Sequence, residues 1–129
     1  MHPNWHENFS KNVVRILIAD DQKSVGTTLA ALVCGCKHEV VEVVGSGLEA
    51  IHAYSRHRPD VVLMDYWMSK LNGATACRNI LAKDPAARII LVSGFDPGGE
   101  ARDAGAIAVL QKPVGLRRLE EALEVAAAI

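Results

Sequence analysis

Apolar residues along this chain fall into two alternating patterns. The first is a short, nearly unbroken run, rich in β-branched residues: Val13–Ala19, Val40–Val44, Val61–Met64, Ile89–Val92 and Ala106–Leu110. Such runs, bounded by turn residues, predict strands buried on both faces. The second is a stripe at helical spacing. Val25, Leu29, Leu32 and Val33 form one; Leu48, Ala50, Ile51 and Tyr54 predict an inward face for a helix over Leu48–Arg56; Ala76, Cys77, Ile80 and Leu81 form a third; Leu116, Leu119, Leu123 and Ala126 or Ala127 form the last. Punctuation falls between them. Gly35 closes the first helix, Pro59 ends the second, and the third runs from Gly73 to about Ala82 before Asp84-Pro85 breaks it. Gly94-Phe95-Asp96-Pro97-Gly98-Gly99 holds too many breakers for a helix, which leaves Glu100–Ala104 for a turn or two.

Strands alternating with helices imply βαβ units, right-handed crossovers and a parallel sheet. Five such units predict a doubly wound, three-layer α/β domain over residues 13–129. Residues 1–12 read as a flexible arm in which Trp5 and Phe9 are the only large apolar groups.

Composition narrows the function. The chain has 129 residues and a formal net charge of -1, with no long run of either sign, so a basic nucleic-acid-binding surface is not expected. No apolar run reaches the roughly 20 residues of a membrane span, and the first residues lack a signal-peptide pattern, so the expected location is the cytoplasm. Cys34, Cys36 and Cys77 include a C-x-C but no C-x-x-C, and they read as reduced thiols and small apolar filler.

The chemistry gathers at the strand ends. In a parallel sheet every carboxyl end lies on one edge, and ligands bind outside that edge. Here the edge collects Asp20 and Asp21 after the first strand, Asp65 after the third, Ser93 after the fourth and Lys112 after the fifth. Taken singly, each has a plain structural explanation: Asp20, Asp21 or Asp65 as a helix cap, Ser93 as a strand-end serine, Lys112 as a surface lysine. Together they make another kind of place. Two carboxylates ~4 Å apart repel by roughly 4 kcal/mol at an effective dielectric near 20, so such a cluster must bind a proton or a cation. Oxygen ligands with room for water and phosphate suit Mg²⁺. A hydroxyl and an ammonium facing the same carboxylate complete a site for phosphoryl transfer to it. Both the phosphate-cradling P-loop and the dinucleotide-binding glycine motif are absent.

Asp20-Asp21, Asp65, Ser93-Gly94 and Lys112-Pro113, in this order and at these intervals, resemble the receiver domain of bacterial two-component response regulators, of the single-domain chemotaxis-regulator kind. The match spans about residues 13–128. The resemblance implies a flavodoxin-like fold with strand order 2-1-3-4-5. It implies that Asp65 accepts a phosphoryl group from a sensor histidine kinase or a histidine phosphotransfer protein, with Ser93 as switch hydroxyl and Lys112 as the phosphate-pairing lysine. It further implies Mg²⁺ held by Asp20, Asp21, Asp65 and the backbone carbonyl of Trp67, and a cis Lys112-Pro113 bond. A downstream protein partner, and dimerisation on phosphorylation, are implied in the same way; contact with nucleic acid or membrane is not.

Several positions depart from the family pattern. Ser69 stands where proline is common, Val109 where a switching aromatic is usual, and the Ser93–Gly105 interval is about one helical turn short, so a shortened or irregular fourth helix is expected. These departures touch output, which is expected to run through residues 94–104 and the last helix. Trp67 and Phe95 stand two residues past the phosphoacceptor and the switch hydroxyl, flanking the path of attacking water, which implies slow self-dephosphorylation. A Mg²⁺-dependent phosphatase with an aspartyl nucleophile is an alternative, but it wants a second carboxylate at Trp67. A receiver-like interaction module that has lost phosphorylation is another, and the intact acidic, hydroxyl and lysine set speaks against it. The expected protein is a signalling domain rather than a conventional enzyme.

Overall fold

The computed structural model describes residues 13–95 and 99–129. Ten elements alternate along them: β1 Arg15–Ala19, α1 Lys23–Gly35, β2 Glu39–Val44, α2 Gly47–His57, β3 Val61–Asp65, α3 Gly73–Lys83, β4 Ile89–Ser93, α4 Glu100–Asp103, β5 Ala108–Gln111 and α5 Leu116–Ala128. The strands form one parallel sheet in the order β2-β1-β3-β4-β5, the expected flavodoxin-like arrangement. The arm expected over 1–12 lies outside the described residues.

Period-two alternation along the strands builds the three layers. Leu17, Ala19, Val62, Met64, Ile89 and Leu91 point to one face and pack under α2, α3 and α4. Ile16, Ile18, Leu63 and Ile90 point to the other, under Leu29 and Val33 of α1 and Leu119, Leu123 and Ala126 of α5. β3 and β4 are buried along their whole length, which explains their uninterrupted apolar character. β2 lies at the edge and is only half-buried, so it tolerates Glu39 and Glu42.

Local chemistry sets the helix ends. The Ser46 hydroxyl accepts the Glu49 backbone N–H at 3.1 Å, an N-cap that starts α2, and donates to the Glu49 carboxylate at 3.0 Å. The Asn72 side chain accepts the Thr75 N–H at 2.9 Å and starts α3. Arg58, in the left-handed region with φ 48°, ends α2 before Pro59.

Three expectations need correction. Leu48 is 57% exposed, because it falls outside the arc shared by Gly47, Ala50, Ile51 and Tyr54. Leu116 is 46% exposed, because it opens α5 at the sheet's carboxyl edge, above the residues its stripe covers. α1 ends at Gly35, as expected, and the left-handed turn that follows falls at Lys37, with φ 64°. β5 starts at Ala108 rather than Ala106, since its register with β4 begins at the Ile90–Ala108 pair. The fourth helix is short, as expected, at four residues.

Candidate functional site

The carboxyl edge of the sheet brings together every side chain that the sequence placed there. Asp20, immediately past β1, is buried, and its backbone N–H donates to the Val44 carbonyl at 3.0 Å, so the end of β2 holds it. Its Oδ1 accepts the Gln22 N–H at 2.9 Å, which shapes the turn into α1; the N-cap itself is Gln22, with no side-chain cap bond, so neither Asp20 nor Asp21 caps this helix. Asp21 is exposed, and its Oδ2 accepts the Ser69 N–H at 3.2 Å, which ties the loop after β3 to the loop after β1. Asp65, the last residue of β3, is buried. Gly73 packs so closely beneath it that an added Cβ would lie 2.4 Å from the Asp65 carbonyl oxygen. The Gly73 N–H donates to the Tyr66 carbonyl at 2.8 Å, so the loop between β3 and α3 closes tightly on the strand end.

Carboxylate oxygens of Asp20, Asp21 and Asp65 all lie within 4.8 Å of one another. Lys112 reaches over them from the end of β5. Its Nζ lies 2.9 Å from Asp20 Oδ2 and 3.3 Å from Asp65 Oδ1. The Lys112 backbone N–H donates to the Ser93 carbonyl at 2.8 Å, and the Lys112-Pro113 bond is cis. Three carboxylates face one ammonium, so the fully ionised cluster carries −3 + 1 = −2.

That imbalance appears in the acidities. Burial and then the Asp20 carboxylate push Asp65 above its ordinary value, against the opposing pull of Lys112. At Lys112 burial favours loss of the proton, but the hydrogen bond to Asp20 and the charges of Asp65 and Asp20 outweigh it, and the ammonium is held above its ordinary value. The lysine is thus firmly charged, whereas Asp65 is short of positive partners. A carboxylate with poorly compensated charge is suited to accept a cation and to act as a nucleophile beside it.

Ser93 is buried at the end of β4. Its hydroxyl oxygen accepts the Phe95 N–H at 3.1 Å and its proton goes to the Phe95 carbonyl. It also accepts the indole N–H of Trp67, with Nε1 2.9 Å away. The Trp67 backbone N–H faces Asp65 Oδ1 at 3.3 Å, and the indole ring meets Tyr66 edge to face, with centroids 4.6 Å apart. The Trp67 indole is the site group that sequence reasoning missed. The residue was noted for its carbonyl and its bulk, and nothing in spacing or composition says where a loop side chain points. Among the described residues, no buried side-chain nitrogen or oxygen lacks a hydrogen-bond partner.

The model of the response regulator receiver domain family matches residues 16–124. The chemotaxis protein CheY of Listeria monocytogenes is 36% identical over 118 residues, covering 89% of this chain and 99% of that protein. A response regulator receiver domain protein of Clostridium thermocellum superposes with a TM-score of 0.83 at 26% identity, covering 90% of this chain and 95% of that one. The receiver domain of a sensor histidine kinase of Pseudomonas aeruginosa, with a magnesium ion coordinated in its active site cleft, superposes with a TM-score of 0.82 at 25% identity over 91% of this chain and 99% of its own.

Proposed function

This chain belongs to the response regulator receiver family, and from that premise we propose that it accepts a phosphoryl group on Asp65 from a phosphohistidine and works as a switch in two-component signalling. The observation that carries this reading is the bridge of Lys112 Nζ between Asp20 and Asp65 at 2.9 and 3.3 Å, on the edge where Ser93 also ends its strand.

The chemistry follows from those positions. An Asp65 carboxylate oxygen attacks phosphorus in line with the departing imidazole. The new O–P bond forms as the P–N bond breaks, and the electron pair returns to the ring nitrogen. Lys112 is placed to pair with a phosphoryl oxygen, and the Trp67 backbone N–H to steady the accepting carboxylate. The Ser93 hydroxyl is the group that senses the product.

The acid cluster fits a divalent cation on the chemistry of its donors: three carboxylate oxygens within 4.8 Å, one residue exposed and two buried, with one ammonium against three carboxylates. Asp20, Asp21, Asp65 and the Trp67 carbonyl would hold Mg²⁺. Bound there, it would neutralise charge on the phosphoryl group as that charge builds.

A histidine kinase or a histidine phosphotransfer protein is the proposed donor, and a separate protein is the proposed reader of the phosphorylated state, with self-association on phosphorylation a further outcome. No helix among the described residues is long and apolar enough to cross a membrane, in keeping with a cytoplasmic switch. The protein is proposed as a signalling domain and not as a phosphatase, because Trp67 stands where a phosphatase of this kind needs its second carboxylate. Trp67 and Phe95 rim the site as half-exposed and exposed aromatic residues that cannot orient water. The acyl phosphate is accordingly expected to be long-lived, and the double variant Trp67→Asn, Phe95→Glu to lose phosphate faster than wild type in a mass-resolved decay.

Incubation with acetyl phosphate and Mg²⁺, read by intact mass, tests the main proposal. One added phosphoryl group on the wild type and none on Asp65→Asn is expected. Label on Asp65→Asn, or none on the wild type, overturns it.

A further inference from the structure

A serine hydroxyl has one proton to give and two lone pairs to receive with. At Ser93 all three are in use. The Phe95 N–H and the Trp67 indole N–H arrive at 3.1 and 2.9 Å, and the hydroxyl proton points to the Phe95 carbonyl. A phosphoryl oxygen only accepts, so the hydroxyl can meet one on Asp65 only by turning its proton away from the Phe95 carbonyl. Two of the three bonds come from the backbone just after Ser93 and belong to the turn that leaves β4. The third comes from a side chain on a different loop, two residues past the phosphoacceptor. It is the only one of the three that joins the end of β3 to the end of β4 outside the sheet.

Burial does not force the indole into this place. Trp67 is 51% exposed, so its ring has open space to turn into, and the hydrogen bond to a buried hydroxyl is the specific contact that directs its nitrogen inward. The edge-to-face contact with the buried Tyr66 ring supports the same pose from behind.

Resting on the phosphoacceptor reading above, we propose that Trp67 is a positioning residue: its indole N–H latches the Ser93 oxygen in the rotamer whose proton goes to the Phe95 carbonyl, and the hydroxyl swings to donate that proton to a phosphoryl group on Asp65 only as the indole lets the rotamer go. The latch biases the protein toward its resting state. The phosphoryl group must offer the Ser93 hydroxyl a better partner than its resting bonds, and as a charged acceptor it can do so, while the released indole N–H of the half-exposed Trp67 turns to solvent. Removing the N–H while keeping an aromatic ring should ease entry to the activated state.

The decisive variant is Trp67→Phe. Loss of one net hydrogen bond from the resting state should tighten binding of beryllofluoride, a phosphoryl mimic, by about fivefold in the presence of Mg²⁺. In a Ser93→Ala background the same replacement should change nothing, since the latch is already broken. An unchanged or weaker affinity in Trp67→Phe, or a gain that persists without the Ser93 hydroxyl, overturns the proposal. A second readout needs neither metal nor phosphate. The chain has two tryptophans, so Trp5→Phe leaves Trp67 as the sole indole. In metal-free protein, solvent exchange of its indole N–H should be about fivefold slower with Ser93 than with Ala at that position, and Ser93→Thr should restore the protection. Equal exchange in all three overturns the latch. A wild type that ignores beryllofluoride but shows the exchange difference would instead count against the phosphoacceptor reading and leave the latch standing.

Discussion

The two edges of the sheet are built from the same five strands and solve opposite problems. At the amino edge, polar side chains meet backbone groups one for one. The Asp60 carboxylate accepts the Arg15 N–H at 2.8 Å, the Arg15 guanidinium donates to the Arg58 carbonyl at 3.1 Å, and His38 Nδ1 accepts the Val14 N–H at 3.0 Å. Helix ends join in: the Tyr54 hydroxyl donates to Asp84 at 2.8 Å, and Arg88 to the Ile129 carbonyl at 2.6 Å. At the carboxyl edge, like charges are crowded, two of the carboxylates are buried, and the one ammonium reaches only Asp20 and Asp65. The amino edge holds strands and helix ends in place. The carboxyl edge keeps an excess of negative charge that a cation can offset. Stability and reactivity thus sit about a strand's length apart, joined by strands that are buried from end to end.

Four substitutions would break or sharpen that contrast. The largest effect is expected for Gly73→Ala. Its Cβ would meet the Asp65 carbonyl oxygen at 2.4 Å and the Tyr66 Cα at 2.9 Å, both backbone atoms with no room to give. A loss of about 3 kcal/mol in denaturant unfolding is expected; a loss under about 1 kcal/mol would mean that the loop after β3 is not clamped to the strand end. Next is Asp21→Ala. The exposed Asp21 should cost less than about 0.5 kcal/mol of stability, while Mg²⁺ affinity by calorimetry falls at least about tenfold, the scale even an outer-sphere partner commands. Equal damage to both quantities would erase the distinction between the edges.

The third test belongs to the amino edge. His38→Ala removes the acceptor of the Val14 N–H and should cost about 1 kcal/mol with metal binding unchanged. Burial holds the His38 pKa below its ordinary 6.5, with Glu120 opposing. A lowered pKa means that the unfolded chain binds the proton first, so this contribution is complete above pH 6.5 and is lost as pH falls through the folded value. The acid-side slope should vanish in the variant. The smallest effect, about 1 kcal/mol or less, is expected for Tyr54→Phe. Burial, then the hydrogen bond to Asp84, pushes the Tyr54 phenol from 10 up to about 12. That contribution is complete below pH 10 and fades as pH rises through about 12, so the unfolding curves of wild type and variant should converge there.

The layers and the gathering of acids were legible because they follow from periodicity. Short unbroken runs bounded by turn residues, such as Val61–Met64, read as central strands, and a parallel sheet sends every strand's carboxyl end to one edge. The errors occur where a residue lies at the margin of an element. Leu48 is apolar yet exposed because it lies off the buried arc of its helix, and Leu116 because it opens its helix beyond the residues its stripe covers. Within the site, Asp20 and Asp21 are indistinguishable in sequence, but one is buried against Lys112 while the other faces solvent and holds Ser69. The bond from the Trp67 indole to Ser93 was beyond reach altogether. It depends on the rotamer of a loop side chain, for which no period exists.

Asp20 and Lys112 are 92 residues apart in the chain, and their contact closes most of its length into a single loop. Closing so long a loop carries an entropic cost that favours making it after nearer contacts have formed. A growing chain that has laid down β1 through β4 already holds Asp20, Asp21, Asp65 and Ser93, yet it lacks the lysine that counters their charge. The signalling site is therefore among the last things this molecule completes, and an intact Lys112–Asp20 pair certifies that synthesis and folding have both run to the fifth strand.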